Sequence, residues 1–282
     1  RGPWRLRFAV TRFRPTPLKT VSVQGGWHRL VVTEGGSLSV QGAYAVLSSG
    51  QRLEILLPED AEFGDRPVRL DGRAVPLESG GAGQYFIPLG EAAGGAEPFL
   101  LELRYSQPEA DTGALQPLSF AGDPAVQRLF LSVYLPEKRA YLGASGPWRP
   151  ELRWHPRGFG FASAPRQSEG WLTARLAGLA GREAERALET FPTAGRPLLF
   201  SSIDPPAGEP GALVVYTLPE ALLDAAVLLV GLALGIFLLS ASWARRLAVV
   251  GAVVILLLVF SVFVPGFVRA LFGSAAAAGA GS

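Results

Sequence analysis

The chain has 282 residues, with 26 Lys plus Arg against 24 Asp plus Glu, a formal net charge of +2. So even a balance offers no dense basic surface for neutralising phosphates, and nucleic acid is not an expected partner. Cys is absent, which excludes disulfides, thiolate nucleophiles and Cys-ligated zinc, and only His28 and His155 remain for imidazole chemistry.

Met is also absent, position 1 included, so Arg1 is expected to be a processed start or a mid-chain position. Seven basic residues (Arg1, Arg5, Arg7, Arg12, Arg14, Lys19 and Arg29) precede the first acidic one, Glu34. They suit contact with anionic headgroups or an acidic partner. Alternatively, Arg5 and Arg7 form the wet face of a strand, because they alternate with Trp4, Leu6 and Phe8 in "WRLRFAV". The second reading is preferred.

Short segments with period-two alternation follow, punctuated by Gly, Pro, Asp and Ser. In "RLEIL", Leu53 and Ile55 share one face and Glu54 takes the other. In "PVRLDGRAVPL", two strands flank Asp71-Gly72, a pair that tolerates the positive φ of a tight hairpin. "QYFIPL" and "FLLELRY" continue the pattern to about residue 107. The expected first unit is a β-sandwich-like domain over 1–107.

A second β-rich unit is expected over 118–216, beginning with the apolar strand "RLFLSVYLP". Next come "PWRPELRW" and "GFGFAS", where Trp148, Arg149, Arg153, Trp154, His155 and Arg157 cluster. Exposed Trp beside Arg can stack on a sugar or hold an anion. Packed Trp covered by an Arg stem is the commoner arrangement and the preferred one. Leu172, Leu176, Leu179, Ala187, Leu188 and Phe191 recur at near-helical spacing. Gly178 and Gly181 interrupt it, so a short helix is placed near 181–191. "PLLFSSI" and "ALVVYTL" are the last strands.

Two uncharged runs end the chain, Ala225 to Ala244 and Leu247 to Val268. Twenty helical residues reach roughly 30 Å, the thickness of a bilayer core. A transmembrane hairpin is therefore expected over 217–270, with helices at about 221–244 and 247–268. Arg245 and Arg246 separate the runs and must lie at an interface, which places them on the cytoplasmic side. Thr217, Pro219 and Glu220 resemble a capping box at the start of the first span. Gly231, Gly235 and Gly251 offer small faces for helix packing, more readily within the hairpin than with a partner. Residues 271–282 form a low-complexity tail.

Chemistry is sparse. "ESGGAGQY" lacks the Gly-Lys-Ser/Thr of a phosphate loop, and neither H-E-x-x-H nor G-x-S-x-G occurs. Glu59 and Asp60 are neighbours, so on a strand they would point to opposite faces.

The order of segments adds a resemblance: "LDGRAVPL", "YFIPL", "LELRY", then "FLSVYLPEKRAYL", Trp148 and Trp154, "LLFSS", "LVVYTLPE" and a membrane hairpin. Over about residues 55 to 270 it is similar to the C-terminal part of large membrane-anchored β-sandwich proteins of planctomycete-like bacteria. The resemblance implies extracytoplasmic β modules ending in membrane helices. It supplies no catalytic residues.

The expectation is a mainly β, non-enzymatic protein with no cofactor and no metal. It is held in a bacterial inner membrane with most of the chain on the periplasmic side. Its partners would be the lipid bilayer and other membrane-protein subunits, in a scaffolding or interaction role. Two alternatives stand beside it. One is a carbohydrate or small-ligand binding module using Trp148, Trp154 and the nearby Arg. The other is an accessory subunit of a transport, respiratory or photosynthetic complex.

Overall fold

A computed structural model describes residues 20–81, 83–92, 94–95, 97–108, 114–121, 124–157, 160–181, 188, 191–203, 205–206, 209–240, 242–244, 251 and 255. The basic segment from Arg1 to Lys19, including the "WRLRFAV" alternation, lies outside them.

The described chain is mainly β. Its centre is a nine-stranded sheet. In spatial order the path runs β14 (Arg149–Pro150), β17 (Arg196–Ser202), β12 (Leu129–Leu135), β1 (Val21–Val32), β2 (Leu38–Ser48), β8 (Phe99–Gln107), β4 (Val68–Leu70) and β5 (Arg73–Val75). β11 (Ala125–Val126) also pairs with β1. A four-stranded sheet holds β10 (Ser119–Phe120), β3 (Arg52–Leu56), β7 (Gln84–Pro88) and β6 (Glu78–Gly81). A three-stranded sheet holds β13 (Arg139–Ser145), β18 (Leu213–Pro219) and β9 (Ala114–Leu115). β15 (Leu152–Arg157) and β16 (Gly160–Pro165) form a two-stranded ribbon.

The large sheet is covered on both faces, and alternation along its strands shows which residue faces which layer. Leu30, Val40, Leu101, Leu131 and Phe200 enter one core with Ile55 and Ile87 of the four-stranded sheet and Leu213 and Val215 of the three-stranded sheet. Trp27, Ala43, Phe130 and Leu199 face the other way, onto Leu172 and Leu176 of helix α1 (Glu169–Ala180). Gly25 permits the close approach, since a Cβ there would lie 2.7 Å from Leu179 Cδ1.

Strands from both sides of residues 107–118 share the large sheet. β1 and β12 pair in parallel from Gly26↔Leu129 to Val31↔Tyr134. A boundary in that loop separates segments of sequence but not sheets, because the pairing crosses it.

Local chemistry explains several elements. The β4–β5 hairpin turns at Asp71 and Gly72, both at positive φ as a primed turn requires. Asp71 Oδ1 also accepts a hydrogen bond from Leu100 N at 2.8 Å. α1 starts at Ser168, whose hydroxyl accepts from Trp171 N at 3.2 Å, an N-cap. The helix ends at Ala180, so it precedes the expected 181–191 segment. Gly181 at the C-cap has a φ of 95° and stops it there. Residues 182–187, 189 and 190 of the expected helix lie outside the described residues.

His28 is fully buried, and its Nε2 shares a hydrogen bond with the Tyr44 hydroxyl at 2.6 Å. Burial lowers its pKa from 6.5 to about 3, so it is neutral at pH 7. An imidazole with a depressed folded pKa binds its proton more readily in the unfolded chain. The stability it contributes is complete above about 6.5 and falls as pH drops toward 3. Each tenfold difference in proton affinity is worth about 1.4 kcal/mol, so one residue can shape the acid limb. The variant His28→Gln should show a flatter loss of unfolding free energy in denaturant titrations between about pH 7 and pH 4. An acid limb identical to the parent's would remove His28 as its source.

Candidate functional site

The feature that most distinguishes the fold is where it ends. β18 runs without a linker into helix α2 (Glu220–Ser240). The junction is held from three sides. Glu220 N donates to the Lys138 carbonyl at 2.8 Å. Arg196 Nη2 reaches both Glu220 carboxylate oxygens, at 3.2 and 3.1 Å. Arg139 Nη1 donates to Thr217 Oγ1 at 3.2 Å.

This corrects the expected capping box. Thr217 is a strand residue paired with Tyr141, and Pro219 closes the strand opposite Arg139. The Glu220 amide is satisfied by a neighbouring strand turn instead of by its own helix.

The first turn of α2 packs on the domain, with Leu223 only 4% exposed. Beyond it the helix is apolar and outward-facing. Leu229 is 63% exposed, Ile236 61% and Leu239 81%. By length and composition α2 is long enough and apolar enough to cross a membrane. Gly231 and Gly235 lie on it, and apart from the helix's own backbone and the adjoining residues no described atom is within 4 Å of where their Cβ would be. Gly251 is helical and exposed, and so is Ile255. Arg245, Arg246 and the rest of the expected second span lie outside the described residues.

The Trp–Arg cluster does not form an open platform. Trp148 is 4% exposed and belongs to the main core. Its indole N–H donates to the Gly211 carbonyl at 2.8 Å. Trp154 is half-buried on β15, opposite Ser163 of β16. Arg149 and Arg153 are exposed, and Arg157 ends β15. The side chains of His155 and Arg157 lie outside what is described. With Trp148 committed to the core, only one of the two rings keeps any exposed surface.

A buried polar row under α1 was not legible in the sequence. Ser132, Arg29, Gln41 and Arg104 stand in register across β12, β1, β2 and β8. Glu102 is buried beside them, accepting from Gln41 Nε2 and from Arg104 Nε at 2.9 Å. The Arg29 guanidinium lies 4.5 Å from the Trp27 ring centroid and 5.5 Å from that of Phe191. At the start of α1, Glu169 accepts from the Tyr134 hydroxyl and stands 3.9 Å from Arg29 Nη1. Burial lowers the Arg29 pKa, and Glu169 opposes that shift most strongly among the nearby charges. Burial also raises the Tyr134 pKa, with its bond to Glu169 second. Arg29, the last of the seven basic residues before Glu34, is a tie between sheet and helix. Glu102 and Arg104 in "LELRY" are two residues apart and so share a strand face, which was the available signal. What lay above that face was not.

Among the described residues no group of three or more His, Asp or Glu could hold a metal ion. The row has the chemistry of a structural tie: carboxylates held by guanidinium, amide and phenol donors.

No family model matches the sequence, and no curated protein matches it. Solved structures do. The chain is similar to an M1 zinc metallopeptidase from Deinococcus radiodurans, with 15% identity over 51% of this chain and 38% of that one, at a TM-score of 0.34. It is also similar to yeast LTA4 hydrolase in complex with bestatin, with 10% identity over 73% of this chain and 31% of that one, at a TM-score of 0.37. The chain spans well under half the length of either protein, and neither likeness supplies a residue role.

Proposed function

We propose that this chain is a non-enzymatic, membrane-anchored interaction protein whose β domain is displayed outside the cytoplasm. It serves as a subunit or fragment of a larger membrane assembly. The observation that carries the reading is α2, whose apolar side chains stay outward-facing directly after a well-packed domain. An apolar helix of that length has no stable place in water.

The anchor is a hairpin. α2 crosses first, Arg245 and Arg246 mark the cytoplasmic turn, and the uncharged run from Leu247 returns. Gly231, Gly235 and Gly251 provide the close-packing faces. The membrane is a bacterial inner membrane, with the β domain on the periplasmic side. The described domain supports a binding role through surfaces more than through chemistry, because its buried His and Glu are engaged in packing.

Purification from native membranes in mild detergent, followed by mass spectrometry, tests the subunit reading. Partners in fixed stoichiometry are expected. A chain that emerges alone and monomeric would contradict it.

A further inference from the structure

We propose that the domain is not tethered above the bilayer but seated on it. The end of the large sheet that carries the β1–β2 and β12–β13 turns faces the lipid headgroups. This rests on α2 being a membrane span and adds which surface the membrane covers.

The argument is one of lengths. The uncharged part of α2 begins at Ala225, just after Asp224. From Glu220 to Asp224 a helix rises about 6 Å. The interfacial layer on each side of a bilayer core is about 5–8 Å thick. Glu220 therefore stands at headgroup depth, and whatever is bonded to Glu220 stands there too. That includes Arg196 at the start of β17 and Lys138 in the β12–β13 turn. Lys138 Nζ in turn lies 3.3 Å from Glu34 Oε1 in the β1–β2 turn.

No flexible segment intervenes between sheet and helix, and the buried Leu223 plugs the first turn of α2 into the domain. The seat is thus fixed in orientation and not only in height. Its charges are mixed in sign: Glu34, Glu137 and Glu220 stand with Lys138, Arg139 and Arg196. Such a surface complements a zwitterionic headgroup layer, where phosphate and amine lie at similar depth, better than a strongly anionic one. The loop between β2 and β3 lies at the other end of the sheet, about 33 Å away along β2.

The absence of native Cys makes the test clean. Single cysteines at Gly35, Glu137 and Gln51, made as Gly35→Cys, Glu137→Cys and Gln51→Cys in the full chain, carry a small fluorophore. The protein is reconstituted in phosphatidylcholine vesicles containing a headgroup-nitroxide lipid. With labels separated by about 33 Å, quenching at positions 35 and 137 should exceed that at 51 by about threefold or more. Equal or reversed quenching would overturn the seating. A fourth label, Leu229→Cys, read with an acyl-chain nitroxide lipid, reports on the span itself. If it is unquenched, the membrane reading fails first; if it is quenched while 35 and 137 are not, only the seating fails. Glu220→Gln, which weakens the Arg196 pair, should narrow the contrast between the two ends. An unchanged contrast in that variant would remove the ion pair from the account.

Discussion

The double variant Leu232→Arg/Ile236→Arg, made in a chain that ends at Ala244 and so keeps α2 as its one span, should leave the membrane fraction. Each arginine near the centre of a span costs about 2.5–3.5 kcal/mol on insertion scales. Two of them offset much of what the apolar side chains of α2 contribute. Both positions are more than 60% exposed on the helix, so neither change disturbs the packing of the β domain. The control is Ile203→Arg, at a position 67% exposed just past the far end of β17. Its distribution between soluble and membrane fractions should match the parent's. Quantitative blotting after vesicle flotation reads both. A double variant that still floats with the lipid would mean that α2 is not the anchor.

Phe200→Ala should be the most damaging change inside the domain, lowering the unfolding free energy by about 3–5 kcal/mol. Phe200 is fully buried at the centre of β17, packed into the core that all the larger sheets share. It stands opposite Leu131, and β12 in turn pairs with β1. The loss should therefore propagate to β1 and β2, strands far earlier in the chain. Hydrogen exchange should show β2 and β12 losing protection together. If β2 kept its protection while β17 and β12 lost theirs, the chain would hold two separately stable units, and the shared sheet would not be the unit of cooperativity.

Some of this was written locally. Asp71-Gly72 specifies its hairpin because few other pairs accept two positive φ angles. "RLEIL" shows its faces, since Leu53 and Ile55 are buried and Glu54 is not. The uncharged run from Ala225 onward announced an exposed apolar helix. These features depend on nearest neighbours or on composition, and a sequence displays both.

The centre of the fold was less visible. β1 and β2 pass unremarked because they are covered on both faces, so the alternation that marks a half-buried strand is blurred. Gly25, Gly26 and Gly42 weaken their strand character further, although each has a steric reason. A Cβ at Gly26 would lie 2.6 Å from both Leu129 and Tyr44, and one at Gly42 would lie 2.8 Å from Tyr44. The parallel pairing of β1 with β12 joins residues about a hundred positions apart, and no local signal encodes it. The same distance hid the polar row: Arg29, Gln41, Glu102 and Ser132 are ordinary separately and become one tie only when the sheet aligns them. Trp148 is conspicuous in sequence, and the fold uses it as the preferred reading has it, for packing, with one hydrogen bond to Gly211.

The central claim is that a single β domain is fixed to a bilayer through α2. Alkaline carbonate extraction of native membranes tests it most directly, since it strips proteins held by charge and leaves those held by a hydrophobic span. The account predicts that the intact chain stays with the lipid pellet, while a chain ending at Pro219 appears folded in the supernatant. Recovery of the intact chain in the supernatant would contradict it.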